Sequence, residues 1–267
     1  MNAIAIPALV RPSPLSLVAL VAVAILSCCM AMCAYADEPC SGDFSADRPG
    51  LSTDTTVLAR GCQQLEWGYQ LSRDDAGVAN STLPLMLYRV GVSGALELRA
   101  GWDGESFTRV DGVTSRAAND PTIGAKLRLR DGAGLSLTLL GQLSLPVGSV
   151  AATSGGVDPS ATLLWKHALS ERTALSGAFT LASISAPDAG RSLRSAVAID
   201  LGQDFGHGFG GFVEYASNEQ RGAGFMQTLD GGLTWQIGQD LQLDVNAGLG
   251  MNRRTQDFVG FGAAWRF

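Results

Sequence analysis

The feature of this sequence that most limits its fold is a two-residue alternation of apolar and polar side chains, sustained over runs of ten to thirteen residues. Residues 241–251 show it most clearly, because every odd position is Leu, Val, Ala or Met and every even position is Gln, Asp, Asn or Gly. Successive side chains of a β-strand point to opposite faces, so such a strand has one apolar and one polar face. Residues 64–71, 96–103 and 125–130 repeat the pattern, with charge on each polar face. The chain is therefore predicted to be all-β.

The alternating runs are separated by Gly, Asp, Asn and Ser, and they predict twelve strands. The strands are placed near 62–72, 82–92, 95–106, 121–130, 134–146, 158–168, 173–184, 192–203, 208–218, 224–236, 241–251 and 257–267. Most exceed the five or six residues usual in globular sheets and suit tilted strands that cross a bilayer. We therefore predict that residues 62–267 form an antiparallel transmembrane β-barrel, an up-and-down meander of about twelve strands.

The connections between these strands alternate in length. Short links are expected at 93–94, 131–133, 169–172, 204–207 and 238–240, and mostly longer ones at 73–81, 107–120, 147–157, 185–191, 219–223 and 252–256. Outer-membrane barrels join strands by short periplasmic turns and longer external loops. The alternation therefore predicts that both ends of the barrel domain lie in the periplasm and that residues 107–120 and 147–157 are external loops.

Aromatic residues agree with this topology. Trp165, Trp235 and Trp265 fall near the predicted periplasmic strand ends, on the face expected to contact lipid, where tryptophan belts are enriched. The final strand ends at Phe267, and a terminal aromatic residue resembles the signal that the outer-membrane assembly machinery reads. Outer-membrane lipid and this machinery are thus expected partners.

Residues 1–36 are predicted to be a signal peptide. An apolar run from Leu15 to Cys33 ends at Ala34-Tyr35-Ala36, an A-x-A site followed by polar residues, so we place cleavage after Ala36. A membrane-anchoring helix and a lipoprotein site at Cys28 are the alternatives. The first is disfavoured because the A-x-A site abuts the run, and the second because more apolar residues follow Cys28.

The mature chain would retain two cysteines, Cys40 and Cys62, which suggests one disulfide. Most of residues 37–61, a polar segment with the sequence Asp-Arg-Pro-Gly at positions 47–50, lies between them. This segment is either a disordered periplasmic tail or a plug that enters the barrel. In the second case Asp47 and Arg48 are expected to pair with the charges of Glu66, Arg128 or Arg266.

Several kinds of chemistry are disfavoured by the sequence. Lys and Arg number 19 against 25 acids, without a basic stripe, so nucleic acid is not an expected partner. The Gly-rich run at 206–211 fits G-x-G-x-x-G by letter, but it lies at a predicted turn with no helix after it. A barrel hydrolase would need Ser and His at the outer leaflet, whereas His167, Ser170 and His207 all lie near periplasmic turns. No catalytic, cofactor-binding or metal-binding residue is predicted, and the chain is not expected to be an enzyme.

The sequence resembles a known family, the outer-membrane transporters assigned to the MetA pathway of phenol degradation. The distinctive part is residues 44–53, which contain the Asp47-Arg48-Pro49-Gly50 motif. The resemblance continues through Gly61, Gln64–Gly68, Leu96–Arg99, Gly124–Lys126 and Gln242–Asp244. It implies uptake of small aromatic or hydrophobic molecules, and it carries no catalytic residues.

Strand parity then predicts which charged side chains face the lumen. They are Glu66, Glu97, Arg99, Lys126, Arg128, Arg130, Arg194, Asp200, Glu214, Asp230, Asp244 and Arg266. Twelve strands enclose less space than the 16 to 18 of porins, so these charges could pair across the lumen. The predicted function is a passive outer-membrane channel for small hydrophobic or aromatic solutes, without a cofactor. The alternatives are a structural or adhesive barrel with a closed lumen and, less favoured, an outer-membrane hydrolase.

Overall fold

The computed structural model describes residues 40, 42, 44–74, 77–132, 134–186, 190–220 and 224–267, so the predicted signal peptide lies outside the described residues. Regular structure in this part of the chain consists of β-strands. The strands are β1 (Gln63–Arg73), β2 (Ala79–Gly91), β3 (Leu96–Trp102), β4 (Glu105–Val110), β5 (Val113–Ala118), β6 (Pro121–Arg130), β7 (Ser136–Ser144), β8 (Asp158–Ala168), β9 (Thr173–Ala186), β10 (Gly190–Gly206), β11 (Phe209–Gln220), β12 (Gly224–Ile237), β13 (Leu241–Gly250) and β14 (Asp257–Arg266). Over the described ranges there is no helix that is long and apolar enough to span a membrane.

The sheet closes on itself because β1 pairs antiparallel with both β2 and β14. On the β14 side the register runs from Gln64 opposite Arg266 to Arg73 opposite Asp257. Two barrel strands are each interrupted once and so are divided into two elements, β3 with β4 and β5 with β6. On one side, β2 pairs with both β3 and β4. On the other side, β3 pairs with β6 and β4 pairs with β5. Counting β3 with β4 and β5 with β6 gives a closed barrel of twelve antiparallel strands, which confirms the predicted fold class.

The prediction that residues 107–120 form a loop is wrong. Most of that range belongs to the hairpin of β4 and β5, whose two-residue turn is Asp111-Gly112 with φ angles of 50° and 83°. An Asp-Gly turn with positive φ at both positions matches the twist of the flanking strands. β4 also pairs with β2, but among the described strands β5 pairs only with β4, so β5 has one unpaired edge and the wall is not continuous there.

The strands are apolar outside and polar inside. On β13, Leu243, Val245 and Leu249 are 40%, 53% and 60% exposed, whereas the carboxylate residue Asp244 between the first two is 4% exposed. A soluble sheet protein buries its apolar face, and a transmembrane barrel turns that face to lipid. The exposure pattern therefore agrees with strands that cross a bilayer.

The connections divide the barrel into two ends. Five connections, 92–95, 131–135, 169–172, 207–208 and 238–240, lie at one end, which we call the turn end. The opposite end, which we call the loop end, carries the β4–β5 hairpin and connections that include 145–157 and 251–256. Trp235 and Trp265 are exposed on the outer face near the turn end. The Trp235 ring stacks on Phe209, with centroids 5.5 Å apart, and the Trp265 ring contacts Phe267, with centroids 4.8 Å apart. Trp165 on β8 is half-buried and lies opposite Gly177.

Candidate functional site: the barrel interior

The described residues between Cys40 and Gly61, which we call the N-terminal segment, lie inside the barrel. Their hydrogen bonds reach side chains on strands around most of the wall, from β1 and β2 through β6 to β8, β11 and β13. Cys40 and Cys62 form a disulfide with a Cα–Cα distance of 5.4 Å, which ties the start of the segment to the start of β1. The segment is thus held covalently at both ends.

Asp47 is the centre of the ionic contacts. Its carboxylate accepts a hydrogen bond from Arg99 on β3, lies 2.9 Å from the Lys126 ammonium on β6, and lies 3.6 Å from the Arg89 guanidinium on β2. All four side chains are almost fully buried, and Arg89 is also paired with Glu97 on β3 at 2.8 Å. Charge-assisted bonds of this kind are short and strong because the surroundings exclude water.

Arg48 reaches the opposite wall. Its guanidinium lies 3.2 Å from the Asp244 carboxylate on β13 and packs against Gly68 and Gly262, which face each other on β1 and β14. A Cβ atom at either glycine would overlap the guanidinium, so the missing side chains make the room that Arg48 occupies. Neighbouring carbonyls are bound as well, since Asn246 donates to the Pro49 oxygen at 2.9 Å.

Carboxylates on the wall bind backbone N–H groups of the segment. Glu66 accepts from Asp47 and Arg48, and Glu97 accepts from Leu58 at 3.0 Å. Glu214 on β11 accepts from two consecutive amides, at 2.7 and 2.8 Å, in the turn that follows Gly50. These bonds satisfy backbone donors that have no strand partner, so the segment needs no sheet of its own to be buried.

A third set of contacts lies on β6, β7 and β8. The Asp54 carboxylate is 2.9 Å from the Lys166 ammonium, and the Thr138 hydroxyl donates to the Thr55 carbonyl at 2.7 Å. Arg128 donates to the Val57 carbonyl at 3.3 Å. The segment therefore crosses the interior with both its side chains and its backbone bound to the wall.

Burial and charge act in opposite directions on the two aspartates of the segment. Burial alone would raise the pKa of Asp47, but the charges of Arg89, Lys126 and Arg99 hold it well below its ordinary value. The pKa of Asp54 is also lowered, because Lys166 and a hydrogen bond from Thr56 outweigh its burial. Both carboxyl groups are therefore ionised at neutral pH.

The interior brings together most of the charged residues predicted to face it. Eight of the twelve bond to the N-terminal segment, namely Glu66, Glu97, Arg99, Lys126, Arg128, Glu214, Asp244 and Arg266. Within the described ranges the other four, Arg130, Arg194, Asp200 and Asp230, make no hydrogen bond to it; Arg130 and Arg194 are exposed, and Asp200 accepts a bond from Ser176.

Of the three alternative partners expected for Asp47 and Arg48, the structure shows contacts with Glu66. The amides of both residues donate to Glu66, but Arg128 binds Val57 instead, and Arg266 binds Gly42 and Asp240. Arg128 is two residues nearer the turn end of β6 than Lys126, which binds Asp47, and Arg266 pairs with Asp240 in the turn-end connection 238–240. Sequence reasoning also missed two interior cations, Arg89 and Lys166.

The cavities among the described residues include two that lie between the N-terminal segment and the wall. One, of about 680 Å³, lies against β8 to β13 and is lined by Phe44 and Phe212 together with Asp200. The other, of about 470 Å³, lies against β6 to β8. Further along the interior face of β7 to β10, four side chains form a buried apolar patch with Ala216 packed against it: Leu140, Leu164, Ala178 and Ala198. The interior thus combines charged anchors with apolar and aromatic surface.

A closed barrel with an apolar exterior and a charged interior defines the chain as an outer-membrane type of β-barrel protein. Residues 46–267 match the profile of the family described as "Putative MetA-pathway of phenol degradation". The match covers most of the chain, and the protein belongs to this family. No curated protein matches the sequence.

Solved structures share the architecture at low sequence identity. The COG4313 outer membrane channel from Pseudomonas putida F1 superposes with a TM-score of 0.64 at 13% identity, over 82% of this chain and 99% of that one. A KdgM porin in complex with disordered oligogalacturonate gives a TM-score of 0.52 at 10% identity, over 76% of this chain and 99% of that one. At these identities the likeness shows the fold alone.

Proposed function

We propose that this protein is a passive channel of the bacterial outer membrane in which the N-terminal segment acts as a plug. The observation that carries the proposal is the position of residues 44–59, which cross the lumen and bind the wall on several sides. In the proposed orientation the turn end faces the periplasm and the loop end faces outward.

The kind of contact supports a plug that can move. The segment is bound through ion pairs and side-chain hydrogen bonds, and the described strands of the barrel pair with one another without it. Its displacement would therefore break no rung of the sheet ladder. The disulfide between Cys40 and Cys62 would keep a displaced segment tethered near the turn end.

The lining supports small aromatic or hydrophobic solutes. A cavity of about 680 Å³ is within the range of about 300–1,000 Å³ typical of small-molecule sites, and its phenylalanines offer ring faces for stacking. The buried patch around Leu164 gives apolar surface further along the lumen. The family description names phenol degradation, which agrees with a solute of this class.

The test combines planar-bilayer recordings with liposome swelling. Removal of residues 38–59 is expected to raise conductance and to speed the entry of phenols into liposomes, while the heat-modifiable gel shift of a folded barrel is retained. The matched control is the double variant Cys40→Ser, Cys62→Ser, which keeps the segment but frees its tether; a smaller rise in current and more noise are expected.

Two outcomes would contradict the proposal. Equal conductance of the truncated and full-length barrels would mean that the segment is not a plug. Failure of phenols, sugars and amino acids alike to enter liposomes, even after truncation, would favour a structural barrel with a closed lumen.

A further inference from the structure

Three acidic side chains lie side by side on neighbouring strands of the interior. Asp200 on β10 is directly opposite Glu214 on β11, and Glu214 is directly opposite Asp230 on β12. We call these residues the acidic row. Side chains directly opposite in an antiparallel pair have Cβ atoms about 4.5–5.5 Å apart, and like charges in such pairs repel. The row therefore needs compensating charge.

Little compensation comes from the protein itself. Asp200 accepts a hydrogen bond from the Ser176 hydroxyl, and Glu214 accepts the two amides of Leu51 and Ser52. Asp230 is 4% exposed, and neither of its carboxylate oxygens has a hydrogen-bond partner in the described part of the chain. Over the same residues, no member of the row forms an ion pair with Lys or Arg.

The cations of the opposite wall are, by contrast, already paired. Arg89 is bound to Glu66 and Glu97, and Lys126 is bound to Asp47. Lys166, the described lysine nearest in register to the row, is 2.9 Å from Asp54. The buried charge left without a counterion is therefore negative and lies on β10 to β12.

The open space in the lumen lies on the same side. The cavity of about 680 Å³ borders Asp200 and reaches the turn end between β8 and β13. A solute that passes the N-terminal segment through this cavity moves along the wall that carries the row. Walls of low polarisability concentrate the field of fixed charges in such a cleft and raise the local counterion concentration.

We infer that the acidic row binds a small monovalent cation, such as K⁺ or Na⁺, and makes the lumen cation-selective. The selectivity rests on the proposed channel function, whereas the cation site does not. The three carboxylates lie in a line across three strands and do not form a compact chelating cluster, and no group of three His, Cys, Asp or Glu side chains in the described residues is arranged as one. The ligand proposed is therefore a loosely held monovalent cation and not a chelated divalent metal. One bound cation would offset the repulsion among the three carboxylates.

The first experiment measures the reversal potential in planar bilayers under a KCl gradient. The wild-type barrel is expected to prefer K⁺ over Cl⁻, and Asp230→Asn should lower the permeability ratio several-fold. This substitution removes a charge that holds no part of the N-terminal segment. Asp111→Asn is the matched control, because it removes one negative charge at the tip of the β4–β5 hairpin and should leave the ratio unchanged. A wild-type preference for Cl⁻, or an unchanged ratio in Asp230→Asn, would overturn the inference.

The second experiment is independent of conduction. The temperature at which the heat-modifiable band shifts is compared in KCl and in tetrabutylammonium chloride at equal concentration. Wild type should unfold at a higher temperature in KCl, and Asp230→Asn should lose that difference while Asp111→Asn retains it. Equal transition temperatures for wild type in the two salts would overturn the cation site. A K⁺-dependent shift in a barrel that passes no current would contradict the proposed function and leave the cation site standing.

Discussion

At the scale of single residues, Asp47 is a centre of contacts between the N-terminal segment and the barrel wall. One carboxylate is shared among three buried cations on three strands, and its amide donates to a fourth residue, Glu66. Removing one partner of a buried ion pair costs about 3–5 kcal/mol, because the remaining charges stay buried without compensation. Most of that cost would fall on the docking of the N-terminal segment.

Asp47→Asn is therefore expected to loosen the segment by about 3–5 kcal/mol and to raise both conductance and protease cleavage between residues 44 and 59. Thr53→Ala is the control, because Thr53 lies on the same segment and lines the larger cavity. Bilayer recordings and limited proteolysis of the purified barrel measure the two effects. Wild-type behaviour of Asp47→Asn would mean that the segment is held chiefly by its backbone bonds.

How far such residues are readable from the sequence depends on the clarity of the alternation around them. Glu66 and Lys126 lie in clean alternating runs, and parity placed both in the interior. Arg89 follows a continuous apolar run after Pro84, and Lys166 follows the pair Leu163-Leu164, so parity was ambiguous for both. Which cation meets which carboxylate depends on strand stagger around the closed barrel, which a single strand does not encode.

At the scale of strands, each element is specified by its two faces. Leu229 on β12 is 40% exposed on the outer face, whereas Thr228, its neighbour in sequence, has the interior parity of Asp230. Adjacent positions on one strand therefore face two environments, the lipid outside and the barrel interior. An arginine should destabilise the barrel at the lipid-facing position and be tolerated at the interior position.

Leu229→Arg is expected to destabilise the barrel by about 2–4 kcal/mol if the position is near the bilayer midplane, and to reduce its assembly. Thr228→Arg introduces the same side chain one residue away and should assemble better. Urea titration in liposomes, followed by the heat-modifiable gel shift, measures both. Equal stability of the two variants would show that the strand faces are assigned incorrectly.

The β4–β5 hairpin is the element that the alternation of apolar and polar residues did not predict. The signal that identified the other strands is an apolar face. The exposed side chains of the hairpin include Val113 at 73%. The sequence nevertheless contains a cue, since Asp111-Gly112 between two extended runs is a strong hairpin signal.

At the scale of the whole molecule, the two ends of the barrel make the orientation testable. A short epitope inserted between Asp111 and Gly112, or within 147–157, should be accessible to antibody on intact cells. The same epitope at Gly132, in a connection of the turn end, should become accessible only after the outer membrane is permeabilised. Surface labelling at Gly132 on intact cells would reverse the proposed orientation.

The pairing of β14 with β1 has a consequence for the order in which the molecule is assembled. The barrel stays open between β1 and β14 until β14 is in place, because β14, the last strand in sequence, pairs with β1, the first. The cations that bind Asp47 lie in the first half of the chain, namely Arg89, Arg99 and Lys126. Asp244, the partner of Arg48, lies near the end of the chain. The N-terminal segment can therefore bind the first strands early and be enclosed as the remaining strands are added. It does not have to enter the lumen after the barrel has closed.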